Sequence, residues 1–289
     1  MANRDRLWGI VYVLPALALV LGFIAFPLGS VVYHAFTEWD GIEPSVWIGL
    51  DNFTTLVDDP VFRTSLRNNA LFALSVPIQV LVPMVLAWLI HERIPGWRFF
   101  RSTFFLPAVI STVVVGLVAQ VVFRLDGPLN SLLGTVGLES AQQDWLGSAE
   151  TSIPAVLLVL VWANFGYNTL IYLAGMSALD PSLTEAARMD GARPTRVLFS
   201  IVAPNLKRVM ELVLVTSTVT AFAFMFAYIF VITNGAPGFD TYVTEFMIYK
   251  EAFALGNSGY ACAIGVVLTL IAASIGALQI RILTRGGAA

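Results

Sequence analysis

Six stretches of the chain contain no Asp, Glu, Lys or Arg: residues 7–36, 68–90, 102–123, 151–179, 212–239 and 252–280. The shortest holds 22 residues, and a helix of about 20 apolar residues crosses a hydrocarbon core of roughly 30 Å. Inside lipid the backbone has to satisfy its own hydrogen bonds, so such runs fold as helices. A transmembrane barrel would show alternating segments of about ten residues, and the runs do not alternate. The pattern predicts an all-α integral membrane protein with six transmembrane helices at about 7–36, 68–90, 102–123, 151–179, 212–234 and 259–281. All of them fall within a single transmembrane domain over 1–289. The first run is too long for the apolar stretch of a secretory signal, usually about 7–15 residues.

Composition agrees with this reading. Of 289 residues, 57% are hydrophobic and 12% charged, against about 25% charged in a soluble globular domain. Mean hydropathy is +0.79. A net charge of −3 leaves no footprint for nucleic acid. One cysteine, Cys262, excludes an intramolecular disulfide and a Cys-based zinc site. With the N-terminus placed inside, twelve of the 16 basic residues fall on the inner side, among them Arg4, Arg6, Arg93, Arg98 and Arg101. Six of the 19 acids fall there. The excess of Lys and Arg orients both termini to the cytoplasm. The outer segment 37–67 carries Trp39, Trp47 and Phe53 among acids and reads as ordered interfacial structure.

The cytoplasmic stretch between the fourth and fifth spans is the most informative. Asp180 is a helix N-cap followed by Pro181, which is tolerated in the first helical turn. A short helix over 182–190 then ends at Gly191, which takes the left-handed conformation without a Cβ penalty. Pro194 opens a second short helix, interrupted by Pro204. A helical hairpin of this kind suits a partner's groove, Ala186 and Ala187 allowing close approach and Glu185 and Asp190 offering charged hydrogen bonds. An amphipathic helix on the bilayer surface has the same spacing.

Glu185-Ala186-Ala187-Arg188-Met189-Asp190-Gly191-Ala192, followed by Phe199, Ile201 and Pro204, resembles the EAA loop of permease subunits of bacterial ABC importers. Ala203 stands where that motif usually has Leu before the proline. Further segments are similar to the carbohydrate branch: Leu14-Pro15-Ala16, Phe36-Thr37-Glu38-Trp39-Asp40, Gly49-Leu50-Asp51-Asn52-Phe53, Phe104-Phe105-Leu106-Pro107, Asp144-Trp145-Leu146 and Asn234-Gly235-Ala236-Pro237-Gly238. Within that branch the chain is most similar to the first permease of maltose- and glycerol-3-phosphate-type systems. The resemblance implies a multi-pass subunit of the bacterial plasma (inner) membrane. Its partners would be a second permease in a heterodimer, two ATPase subunits and an extracytoplasmic solute-binding protein. Residues 180–208 would be the coupling loop, with Glu185, Ala186, Ala187, Asp190 and Gly191 at the ATPase.

The chain shows no nucleotide-binding motif of its own. The only lysines, Lys207 and Lys250, follow no glycine, so a P-loop is absent. ATP and Mg²⁺ are expected on the partner ATPases, with no cofactor or metal on this chain and no enzymatic activity. His91-Glu92 lacks the second histidine of a zinc protease. The rival class is an ion-coupled secondary carrier, which commonly places ionisable groups inside the membrane; the charge-free runs count against it.

An uncharged path suits a sugar or polyol. Asn164 and Asn168 lie four residues apart on one helical face with Tyr167 beside them. Thr216, Thr220, Phe224 and Tyr228 form a stripe in span five, and Gln79, Gln120 and Asn234 are further candidates. Amides and hydroxyls exchange hydrogen bonds with sugar hydroxyls, and aromatic faces cover a sugar's C–H face. The same residue types also bond one membrane helix to another. The segment 235–259 is expected to be a partly re-entrant outer loop with a short helix near 244–253.

Overall fold

The computed structural model describes residues 12–285. Arg4, Arg6 and the first residues of the predicted span one lie outside them. In chain order the elements are α1 (Tyr12–His34), β1 (Thr37–Glu38), β2 (Val46–Trp47), α2 (Asp51–Asp58), α3 (Pro60–Ala73), α4 (Val76–His91), α5 (Trp97–Val109), α6 (Thr112–Phe123) and α7 (Pro128–Thr135). There follow α8 (Ala149–Ser177), α9 (Pro181–Met189), α10 (Pro194–Val197), α11 (Lys207–Ala223), α12 (Phe226–Ile232), α13 (Thr244–Tyr249) and α14 (Ser258–Arg285). Among the described residues, five helical segments are long and apolar enough to cross a membrane, and a sixth if the bent pair α11–α12 counts as one span.

Spans one, two, four and six follow the charge-free runs. In α1 a wide turn at Leu21–Ala25 precedes Pro27, where a regular helix would lack an N–H donor. Span two is longer than predicted, because α3 and α4 form one helical segment from Pro60 to His91. Two runs are corrected. The third, 102–123, is not one helix: Ile110 and Ser111 adopt extended conformations, separating α5 from α6. The segment long and apolar enough there is Thr112–Thr135. The fifth run is broken between Ala223 and Phe226 by a 51° bend. Pro204 does not interrupt the second hairpin helix. The path widens through the π-turn Leu198–Val202 and passes Pro204 within Ala203–Asn205 before kinking at Leu206. In a wide turn the missing N–H and the ring of proline are more easily accommodated.

The described residues up to Phe62, together with Met247–Ile271, form one compact unit. Its loop is ordered by aromatic stacking: Trp39 lies 3.8 Å from the His34 ring, and Phe36 packs on Trp47 and Phe53. The Asn52 amide donates to the carbonyls of Ala35 and Thr37. Gly259 donates to the Trp39 carbonyl, and any Cβ at Gly259 would collide with the Thr37 carbonyl. Tyr260 closes the unit by donating to Asp59 at 2.7 Å.

The second unit comprises Arg63–Phe246 and the described residues from 272 onward. Its core runs from Val76, Val80, Met84, Ala87 and Trp88 on α4 to Tyr172 and Met176 on α8. Ala187, Val197, Leu198, Val202 and Leu206 join the same core, so the segment after α8 packs as part of the helical body. Helix α8 approaches α5 so closely at Gly166 that a Cβ there would strike the Phe104 carbonyl. Glycine at this position is what lets the two backbones meet.

Candidate functional site: the hairpin and the polar face of the spans

The hairpin is assembled from local rules. Asp180 accepts from the Ser182 N–H at 2.9 Å and caps α9, and this bond to the backbone holds its carboxyl below the usual aspartate range. At the other end the N–H groups of Asp190 and Ala192 return to the carbonyls of Ala186 and Ala187. Gly191 has φ +77°. A Cβ there would meet nothing within 4 Å, so conformation rather than crowding calls for glycine.

The faces of α9 divide clearly. Ala187 is buried, 8% exposed, against the α4 and α8 core. Glu185, Ala186, Asp190 and Gly191 are exposed. Met189 is 88% exposed, and Leu183 and Phe199 add apolar surface on the outside. One residue of the motif therefore seats the hairpin, and the other four are presented outward. Arg188, which the sequence reading gave no role, makes a two-pronged contact with Glu92, its Nη2 lying 2.6 and 2.5 Å from the two carboxylate oxygens. Glu92 is the residue that caps α4. The ion pair thus ties the hairpin to the end of span two.

The predicted polar path separates into two groups. Asn164 donates to the Leu160 carbonyl at 2.8 Å, and the Tyr228 hydroxyl lies near Asn164 and Thr112. The structure thus brings Asn164 and Tyr228 together across α8 and α12. Tyr167 and Phe224 are exposed, 55% and 65%. Asn168 is only 3% exposed and donates to the Gln79 carbonyl and the Ser217 hydroxyl, binding α4, α8 and α11 to one another. Gln79 Oε1 in the same cluster is buried and accepts no hydrogen bond. Thr216 and Thr220 donate to carbonyls of their own helix. Gln120 donates to the Val231 carbonyl at 2.6 Å and fixes α6 to α12. Asn234 is exposed at a turn with φ +50°.

Residues 57–285 match the model of the family described as binding-protein-dependent transport system inner membrane component. The chain belongs to this family. It is similar to the probable ABC transporter permease protein YurN of Bacillus subtilis (strain 168), 33% identical with 99% of each chain covered. It is also similar to the diacetylchitobiose uptake system permease protein NgcF of Streptomyces coelicolor, 32% identical over 94% of this chain and 81% of that one. Among solved structures, a chain of a bacterial ABC transporter involved in the import of the acidic polysaccharide alginate superposes with a TM-score of 0.84. That match has 26% identity and covers 98% of this chain and 96% of the other. The protein is an inner-membrane permease, and the relatives it matches are permeases rather than enzymes.

Two features of this permease escape a reading of motifs. Glu92 shows no pattern until Arg188 reaches it across the fold. Asn68 and Asn69 sit side by side at the start of a charge-free run; Asn68 donates to the carbonyls of Asp240 and Tyr242 and holds the loop after span five. A pair of amides leading an apolar helix is a signal that sequence reading could have used.

Proposed function

We propose that this permease is one transmembrane subunit of an ATP-driven importer for a sugar or related polyol delivered by an extracytoplasmic binding protein. Its hairpin, residues 180–208, lies in the cytoplasm, with both termini on that side. The exposed face with Glu185, Ala186, Asp190 and Gly191 seats in the cleft of an ATPase partner, and Ala187 anchors it to spans two and four. The observation that carries this reading is the continuity of the hairpin with the transmembrane core through Ala187, Val197, Leu198 and Val202. Two ATPase subunits bind ATP and Mg²⁺, and a second permease completes the translocation path. A body packed this way moves as a unit. ATP closure of the ATPases then shifts the spans between outward- and inward-open states through the differential affinity of nucleotide for the two.

Arg188 and Glu92 are positioning residues in this scheme, fixing the hairpin against span two. Solute passes along Asn164, Tyr167, Tyr228, Phe224 and Thr220, while Asn168 holds the helices together. The sugar assignment draws on the charge-free spans and on the saccharides named for similar permeases. The direct test is purification from the native membrane in mild detergent. Recovery of a second permease and an ATPase, with hydrolysis stimulated by a binding protein and its sugar, is expected. A lone chain driving ion-dependent uptake in liposomes without ATP would overturn the proposal.

A further inference from the structure

Span five breaks without proline or glycine: the residues from Ala221 to Phe226 read Ala-Phe-Ala-Phe-Met-Phe. Sharp kinks otherwise trace to Pro, Gly, a π-bulge or a side chain inserted into the hydrogen-bond ladder. The last of these is present. In a continuous helix the Met225 N–H would bond the Ala221 carbonyl four residues back. Here the Met225 N–H donates to Glu245 Oε1 at 3.1 Å, and the Ala221 carbonyl accepts from Asn69 Nδ2 at 3.0 Å. The two inserted side chains bond each other, Asn69 Nδ2 to Glu245 Oε2 at 3.1 Å. Asn69 Oδ1 in turn accepts from the N–H and hydroxyl of Thr244 at 2.9 and 2.8 Å. An amide from α3 and a carboxylate from α13 therefore occupy both halves of one backbone hydrogen bond and keep it open.

Asn69 is fully buried. Backbone groups in a membrane cannot be left without partners. The four groups therefore have two satisfactory pairings: crosswise with the side chains, which bends the span, or Met225 with Ala221, which straightens it. The bend sits within the stripe of Thr220, Phe224 and Tyr228, leaving Phe224 exposed at the end of α11 and Tyr228 against Asn164 on α12.

We infer that Asn69 and Glu245 are positioning residues of the transport step, acting as a splint that holds span five bent and so aims Phe224 and Tyr228. The inference rests on the reading of those two residues as part of the solute path.

The test uses the assembled importer in lipid nanodiscs, with Cys262→Ala and spin labels at Arg208→Cys and Phe230→Cys. Removing the splint with Asn69→Ala and Glu245→Leu together should lengthen the label distance by about 2–3 Å, from a rise of roughly 1.5 Å per residue along a straightened axis. Solute uptake per ATP hydrolysed should fall about tenfold, the scale of one or two buried hydrogen-bond partners. Glu245→Gln keeps an oxygen for the Met225 N–H but sets an NH2 against Asn69 Nδ2, so the label distance should stay near wild type while uptake falls less than in the double variant. An unchanged distance in the assembled double variant would overturn the splint. A lengthened distance with normal uptake would overturn the positioning role and locate the error in the solute-path reading. If the double variant does not assemble, Glu245→Gln still decides: a label distance near wild type supports the acceptor role, and a lengthened distance overturns it.

Discussion

The two ends of span two hold their neighbours by different physics. At the Glu92 end, the hairpin is seated by apolar burial of Ala187, Val197, Leu198 and Val202 against Ala87 and Trp88. The ion pair there, Arg188 to Glu92, is partly solvated. At the Asn69 end, span five and the loop after it are held by side-chain amides and a carboxylate bonded to backbone. An exposed ion pair is worth about 0–1 kcal/mol, whereas an orphaned buried polar group costs about 1–3 kcal/mol. Polar substitutions at the hairpin should therefore change coupling more than stability. At the break they should change both.

The largest effect is expected for Gly191→Val. A β-branched residue is poorly tolerated at φ +77°, and a left-handed conformation costs an L-residue about 1–2 kcal/mol. The strain falls on the presented turn. The variant should insert in the membrane at normal levels yet lose ATPase co-purification and transport; normal transport would remove the turn from coupling. Next is Gly166→Leu, which drives a side chain into the Phe104 backbone. Overpacking of this kind costs about 1–3 kcal/mol, visible as a lower unfolding temperature in detergent, and an unaltered midpoint would show that α5 and α8 separate easily.

Arg188→Glu comes third. It should reduce solute moved per ATP several-fold with little change in thermal stability, and adding Glu92→Arg should restore coupling. No rescue by the swapped pair would assign Arg188 to the ATPase instead. The smallest effect concerns Glu245, whose carboxyl is pushed up by burial. A raised folded value means that its contribution to stability is full below the ordinary glutamate range and is lost as pH rises through the folded value. The melting temperature of Glu245→Gln minus that of wild type should therefore be greater at pH 8 than at pH 5. Asp180, held low by its cap bond, has the opposite sign and loses its contribution as pH falls.

Spans one, two, four and six were readable because a charge-free, non-alternating run of 22 or more residues folds in lipid as a helix. The hairpin was readable because Asp180-Pro181, Gly191 and Pro194 each carry a local conformational meaning. The break in span five was not. Its residues are uniformly good for an apolar helix, and the cause lies in Asn69 and Glu245, far away in sequence. The split of 102–123 was missed for a related reason, since charge counting cannot see extended backbone at Ile110 and Ser111. Asn164 and Asn168 look alike in sequence, one turn apart. Only packing separates the residue that meets Tyr228 from the one buried against Gln79 and Ser217.

The central claim is that the outward face of α9 meets an ATPase. Met189 is 88% exposed on that helix, so a Met189→Cys chain, with Cys262→Ala, should be assembled in its native membrane and treated with a short thiol-to-amine crosslinker. A product joining this chain to an ATPase subunit is expected, with a yield that changes when ATP is trapped. Crosslinks to lipid alone, in a chain that still transports, would contradict it and lay the hairpin on the bilayer surface.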